Sequence, residues 1–251
     1  MAAEPAILLT LVGTFLLAGV VKGVIGLGLP TVSLAILTVA IDLPKAMALL
    51  LVPSLVTNVW QAASGGNGRA IVMRIWPFLL MAGATVWLGA TALTRVDLSL
   101  LSACLGILLI AYSALSLSGV QLSIASHHEP WVGPLLGIVN GILTGMTGSF
   151  GVPGVLFLQS IGLSRDVLIQ AMGILFTIST LALALALGSN HLLSMQQTAI
   201  SSMALFPALL GMIVGQRIRS NLPEQRFRRI FFTSLLLLGI YIIATAFGVL
   251  S

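Results

Sequence analysis

Lys22 is the one charged residue set well inside an apolar stretch, with Gly19 and Gly23 beside it. An ammonium in that position needs water, a ligand or a path to an interface. Lining water or a ligand would make Lys22 a point charge for an anion, whereas snorkelling would make it an anchor at the membrane surface. At the matching place in the second half of the chain stand Asn140, Thr144, Thr147 and Ser149. These are neutral hydrogen-bond donors suited to the oxygens of an oxyanion. Asn58, Gln61 and Gln170 also interrupt otherwise apolar runs, with Thr57 and Thr177 nearby. Each alone reads as an interhelical hydrogen bond. As a set at corresponding places in both halves, Asn58 and Gln170 above all, they are expected to line a cavity.

Around these residues the chain repeats itself. Gly19-Val-Val-Lys22-Gly23-Val-Ile-Gly26-Leu-Gly28-Leu-Pro30 returns about 120 residues later as Gly141-Ile-Leu-Thr144-Gly145-Met-Thr147-Gly148-Ser149-Phe-Gly151-Val-Pro153. The Gly-x-x-x-Gly-x-x-Gly frame is kept, and the second copy ends one residue longer. Glycines at this density either let two membrane helices approach closely or break a helix. If they break it, Gly23 to Pro30 and Gly145 to Pro153 are unwound turns. Their helix ends would then offer backbone N–H groups and positive dipole ends to an anion. On that reading Gly23, Gly26, Gly28, Gly148 and Gly151 join the polar residues as substrate-binding positions.

The elements that must hold these residues follow from composition. Of 251 residues, 58% are hydrophobic and 7% charged, too few charges to cover a soluble surface. Runs such as Ala46 to Ala63, Ile75 to Leu93, Leu98 to Leu117 and Ile230 to Leu250 are long enough to cross about 30 Å of hydrocarbon as helices. They are apolar on every face, which excludes a β-barrel and predicts an all-α membrane protein of about eight to ten helical segments. The run that follows Glu4 and Pro5 reads as a first membrane segment, not a removable signal.

The halves are predicted as residues 1–120 and 131–251, joined by a polar linker at 121–130 that holds Gln121, Ser126, His127, His128 and Glu129. In both, the glycine stretch leads through a basic turn, Leu43-Pro44-Lys45 or Leu163-Ser164-Arg165, into a long helix and then a proline-bearing one with Pro77 or Pro207. A loop follows, with Val96-Asp97 or Leu222-Pro223, and then a last helix. Five segments per half give an odd number of crossings, so the halves should be inverted repeats meeting at the midplane. Arg217, Arg219, Arg226, Arg228 and Arg229 cluster before the last helix and should be cytoplasmic. Counting back places Arg69, Arg74, the linker and Arg165 inside, and Lys45, Arg95 and His191 outside.

All six acidic residues, Glu4, Asp42, Asp97, Glu129, Asp166 and Glu224, fall at loops or segment ends. With no carboxylate mid-span to relay protons or bind sodium, the pattern disfavours a cation transporter and favours a negative permeant. His127-His128-Glu129 lacks partners at ligand spacing, so no metal site is expected. The glycine stretches lack the strand context and the Lys-Ser/Thr ending of nucleotide loops. No nucleophile cluster marks an intramembrane enzyme. No cofactor and no nucleic-acid partner are expected. The expected partners are a small anion and membrane lipids, with a homodimer left open.

The paired glycine stretches ending in proline, each followed by a long helix over nearly the whole chain, resemble the sulfite exporter TauE/SafE family, also described as a sulfonate uptake permease family. The resemblance implies transport of sulfite, organosulfonates or related small anions across a bacterial cytoplasmic membrane. Lys22 and Gly28-Leu29-Pro30 depart from the neutral residue and extra glycine common in that family, which marks a subgroup. Two other readings remain: transport of a small carboxylate-type anion, and a non-transporting scaffold whose glycines serve packing alone.

Overall fold

A computed structural model describes residues 5–120, 122–219 and 224–248, so Glu4, Gln121 and the Leu222-Pro223 loop lie outside the described residues. All regular structure among the described residues is helical. The first half comprises α1 (Pro5–Ile25), α2 (Leu29–Ala40), α3 (Leu43–Ala63), α4 (Gly68–Ala84) and α5 (Val86–Ala90), then a 3-10 turn (Thr91–Thr94) and α6 (Leu98–Ser118). The second comprises α7 (Glu129–Thr147), α8 (Gly154–Ser160), α9 (Arg165–Ser189), α10 (Met195–Arg219) and α11 (Glu224–Ala246).

Six segments, three in each half, are long and apolar enough to span a membrane: Leu43–Ala63, Gly68–Thr94, Leu98–Ser118, Arg165–Ser189, Met195–Ile218 and Arg229–Ala246. Their boundaries follow local chemistry. Asp42 caps α3 by accepting from the Lys45 N–H at 2.8 Å, and Asp97 caps α6 by accepting from the Ser99 N–H at 2.8 Å. Pro44 and Pro30 sit in the first turns of α3 and α2, where a missing N–H is harmless. The chain is a multi-pass helical membrane protein, as its composition predicts.

The packing crosses between the halves. α1 lies along α10 and runs parallel to it, because Gly19 faces Ala208 while Gly23, one turn on, faces Met212. In the second half α7 lies parallel to α4 and α5, with Gly137 against Phe78, Gly141 against Ala82 and Gly145 against Val86. α3 packs on α9 in the opposite sense: Gly65 meets Gln170 while Asn58 reaches Thr180. α6 and α11 are antiparallel as well, with Gly106 against Ile243 and Gly239 against Ile110. The first helix of each half therefore rests on the fourth segment of the other. The third helices run antiparallel to each other, and so do the last.

In the α1–α10 seam there is no room for side chains. A Cβ on Gly19 or Gly23 would collide with the carbonyl of Ala208 or Met212, and one on Gly211 or Gly215 with that of Leu16 or Val20. Close backbone approach of this kind is what drives helix association in lipid, where apolar burial gives no net gain. Gly19→Val is expected to destabilise the fold by about 1–3 kcal/mol through overpacking. Gly13→Ala, on the same helix with nothing within 4 Å of the new methyl, should be neutral. Thermal aggregation of the detergent-solubilised variants, followed by size exclusion, checks both.

Candidate functional site

Each half breaks its first helix in the same way. The Gly26 N–H donates to the Lys22 carbonyl at 2.7 Å, with Gly26 at φ 80°, and the Gly148 N–H donates to the Thr144 carbonyl at 2.7 Å, with Gly148 at φ 72°. This is a left-handed helix end, which glycine adopts without the steric penalty of a Cβ. Lys22 and Thr144 thus occupy the same place relative to their breaks. α2 restarts after Gly28, and α8 restarts after Pro153.

The breaks are narrower than the glycine stretches. Gly19, Gly23, Gly141 and Gly145 remain helical and serve packing, while Leu29 and Pro30 already belong to α2. Only 26–28 and 148–153 leave the helix, so the expectation that Gly23 to Pro30 and Gly145 to Pro153 unwind throughout is corrected. The two uses of glycine weighed as alternatives are both present, one after the other along each stretch.

A broken helix in hydrocarbon exposes backbone groups that must find partners. Gln61 Nε2 donates to the Gly26 carbonyl at 2.9 Å and to the Ile169 carbonyl at 2.7 Å, tying the first break to α9. At the second break Thr144 Oγ1 donates to the Ser149 carbonyl at 3.1 Å, and Thr147 Oγ1 accepts from the Ser149 N–H at 3.3 Å. Asn140 Oδ1 accepts from the Gly154 N–H at 2.9 Å and so caps α8. Its amide Nδ2 is buried without a hydrogen-bond partner.

The two breaks meet. Leu27, Gly28, Pro30 and Thr31 from the first, and Phe150, Gly151 and Val155 from the second, enclose a cavity of about 10 Å³ together with Tyr112 of α6 and Phe176 of α9. That is room for about one water. Thr31 and Tyr112 are the lining residues with a polar side chain, and the others are apolar or glycine. An oxyanion needs more space than this, so the cavity is in a closed form.

Of the residues singled out in the sequence, Gly28 and Gly151 line this cavity, and Gly26, Gly148 and Ser149 belong to the turns behind it. Asn140, Thr144 and Thr147 are fully buried on α7 and hold the second turn in shape. Lys22 is buried one turn before the first break, and its ammonium donates to Asn58 Oδ1 on α3. Asn58 Nδ2 in turn donates to Thr180 Oγ1 on α9 at 3.3 Å. This chain reaches from α1 through α3 to α9 beside the cavity, not through it, and it does not take the snorkelling path. Gln170 Nε2 donates to the Ala62 carbonyl at 2.8 Å, and its Oε1 accepts from the Asn67 N–H at 2.9 Å. It completes the end of α3 away from the cavity. Among buried side chains described, Lys22 is the only charged one, and no carboxylate is buried.

Sequence reasoning missed Thr31, Tyr112, Phe150 and Phe176. Tyr112 carried a usable signal: it is one of two tyrosines, and its phenol stands mid-run in an apolar helix.

Paired helix breaks facing one another inside a multi-pass bundle define a membrane transporter of the broken-helix kind. The family model for the sulfite exporter TauE/SafE matches residues 11–242, and the chain belongs to that family of membrane transporters. No curated protein and no solved structure matches it.

Asn140→Ala removes the cap of α8 and leaves the Gly154 N–H unpaired. It should destabilise the fold by about 1–2 kcal/mol, read as a lower midpoint in denaturant titration in mixed micelles.

Proposed function

We propose that the protein carries a small sulfur oxyanion, sulfite or an organosulfonate, across the bacterial cytoplasmic membrane, in the export direction that the family description names. The observation that carries this reading is the meeting of the two helix breaks at one closed cavity. The start of α2 brings the positive end of its dipole to that cavity. Lys22, one turn from the first break, adds the only buried charge described, and that charge is positive. Asn140 Nδ2 is a buried donor still without a partner. A site so composed favours an anion over a cation.

In this reading Lys22 supplies charge, Asn140 Nδ2 and the Ser149 hydroxyl supply donors, Thr144 and Thr147 hold the turn that presents them, and Asn58 holds the Lys22 ammonium where the anion must displace or share it. Gln170 contributes through the joint between α3 and α9. Residues 1–120 and 131–251 act as inverted repeats across the 121–130 linker, which the antiparallel pairing of α3 with α9 and of α6 with α11 supports. Following the helix directions, Arg69, Arg74, Arg165, Arg217 and Arg229 gather at one end, and Lys45, Arg95 and His191 at the other. The richer end is cytoplasmic by the positive-inside rule.

The test is flux of radiolabelled sulfite into liposomes holding the purified protein, with small organosulfonates as competitors. Saturable flux is expected, and Lys22→Ala should lose it while still inserting. Flux unchanged in Lys22→Ala removes Lys22 from the mechanism. Flux no greater than in empty liposomes, for sulfite and every sulfonate tried, returns the question to carboxylate anions or to a scaffold.

A further inference from the structure

The closed cavity has a large neighbour. A groove of about 1070 Å³ opens at the Arg229 end of the bundle, between the last turn of α6, Gly119, Val120, Leu122 and Ser123 after it, α8, and Arg229 and Phe232 of α11. The Ile124 N–H donates to the Ser160 carbonyl at 2.9 Å, which pins the linker to the end of α8 and fixes that wall. Ser116, Ser123, Gln159 and Ser160 give the groove neutral polar groups, and Arg229 is the one charged side chain among the described residues lining it. A wide mouth with a cation and no carboxylate gathers anions.

What separates groove from cavity is aromatic. Phe232 of α11 lines the groove, and Tyr112 of α6 lines the cavity. Their rings meet edge to face, centroids 5.2 Å apart and 90° between planes, and both side chains are buried. Phe231 backs the pair, its ring 5.0 Å from that of Phe232, and it reaches the first break, where a Cβ on Gly28 would lie 3.4 Å from its Cζ. Tyr112 likewise borders the second break, 4.0 Å from where a Cβ on Gly151 would stand. An aromatic constriction between a wide groove and a closed cavity blocks a hydrated ion by dewetting and steric closure. Because Tyr112 abuts the second turn and Phe231, which backs Phe232, abuts the first, a change in either turn bears on the constriction.

The geometry points to a gate: the groove is the cytoplasmic vestibule of the anion's route, and the Tyr112–Phe232 pair opens and closes its connection to the cavity between the helix breaks. The gate rests on the transport reading above, because a scaffold has no use for one. Opening takes the Phe232 ring off the Tyr112 edge, and because Phe232 is buried against Phe231 as well, Phe231 must give way with it.

Thiol accessibility tests the gate without relying on transport. In a Cys104→Ala background, which removes the chain's only cysteine, Ser116→Cys reports on the groove and Thr31→Cys on the cavity. A charged, membrane-impermeant thiol reagent is applied to inverted vesicles. Ser116→Cys should label quickly and Thr31→Cys slowly. Adding Phe232→Ala should speed Thr31→Cys labelling at least about tenfold, since labelling follows the population of the open form. Phe232→Leu, which keeps apolar bulk without the ring, guards against a folding defect, with Ser116→Cys labelling as the check on integrity. Three results overturn the gate: Ser116→Cys unreactive, as in a lipid-filled groove; Thr31→Cys as fast as Ser116→Cys with both rings present; or Thr31→Cys still protected in both Phe232 variants while Ser116→Cys labels normally. Gated labelling in a protein without sulfite or sulfonate flux would support the gate and leave the substrate assignment to fail alone. Saturable flux with ungated labelling would do the reverse.

Discussion

A helix cannot stop inside hydrocarbon without leaving carbonyl and N–H groups that no water will satisfy, each at a penalty of several kcal/mol. Both first helices of this protein end in turns buried inside the bundle, where the same demand holds. Gln61 meets the Gly26 carbonyl, Asn140 meets the Gly154 N–H, and Thr144 and Thr147 bind both backbone groups of Ser149. Much of the buried polarity near the cavity is therefore fixed by the turns before any ligand is considered. Substrate chemistry must work with what remains: the Asn140 amide, the Lys22 ammonium beyond its bond to Asn58, the Thr31 side chain at the cavity and the backbone itself.

The second organising feature is the seam of glycines. α1 rides on α10, and α7 rides on α4 and α5, at backbone contact. Such seams leave little room for sliding, so each break is carried by a stiff pair of helices drawn from both halves. α6 and α11 also cross at backbone contact, where Gly106 meets Gly239, and away from that crossing they meet through side chains, the Tyr112 and Phe232 rings among them. The Lys22–Asn58–Thr180 chain crosses from one such unit to α3 and α9, and any change in the first turn is felt there.

Much of this was legible in the residues. Chain class, segment order, the two breaks and, among the described side chains, the absence of buried carboxylates all follow from apolar runs, the doubled glycine stretch and the places of six acids. Where each stretch turns from packing to unwinding was not legible, because Gly23 and Gly26 are the same residue type and only their neighbours in space differ. Gly23 faces α10, whereas Gly26 ends its helix. Gln61 and Gln170 could not be told from ligand contacts, since a side-chain amide bridging backbone groups is written like one binding substrate. Phe150 and Phe176 were invisible for the opposite reason: in an apolar run, a phenylalanine on a cavity wall has the pattern of any core residue.

Interleaved halves also impose an order on synthesis. Lys22 finds Asn58 after 36 more residues, so the buried charge has its partner while the chain is still short. The glycine face of α1 must wait for α10, nearly the whole length of the protein later. At translation rates of about 5–20 residues per second that interval is roughly 10–40 s. During it, a helix with a bare backbone stripe sits in lipid or against the insertion machinery with no native neighbour, and α4 must likewise wait for α7. Biogenesis of this fold thus hinges on temporary custody of α1, and a chain cut short before α10 leaves that stripe uncovered for good.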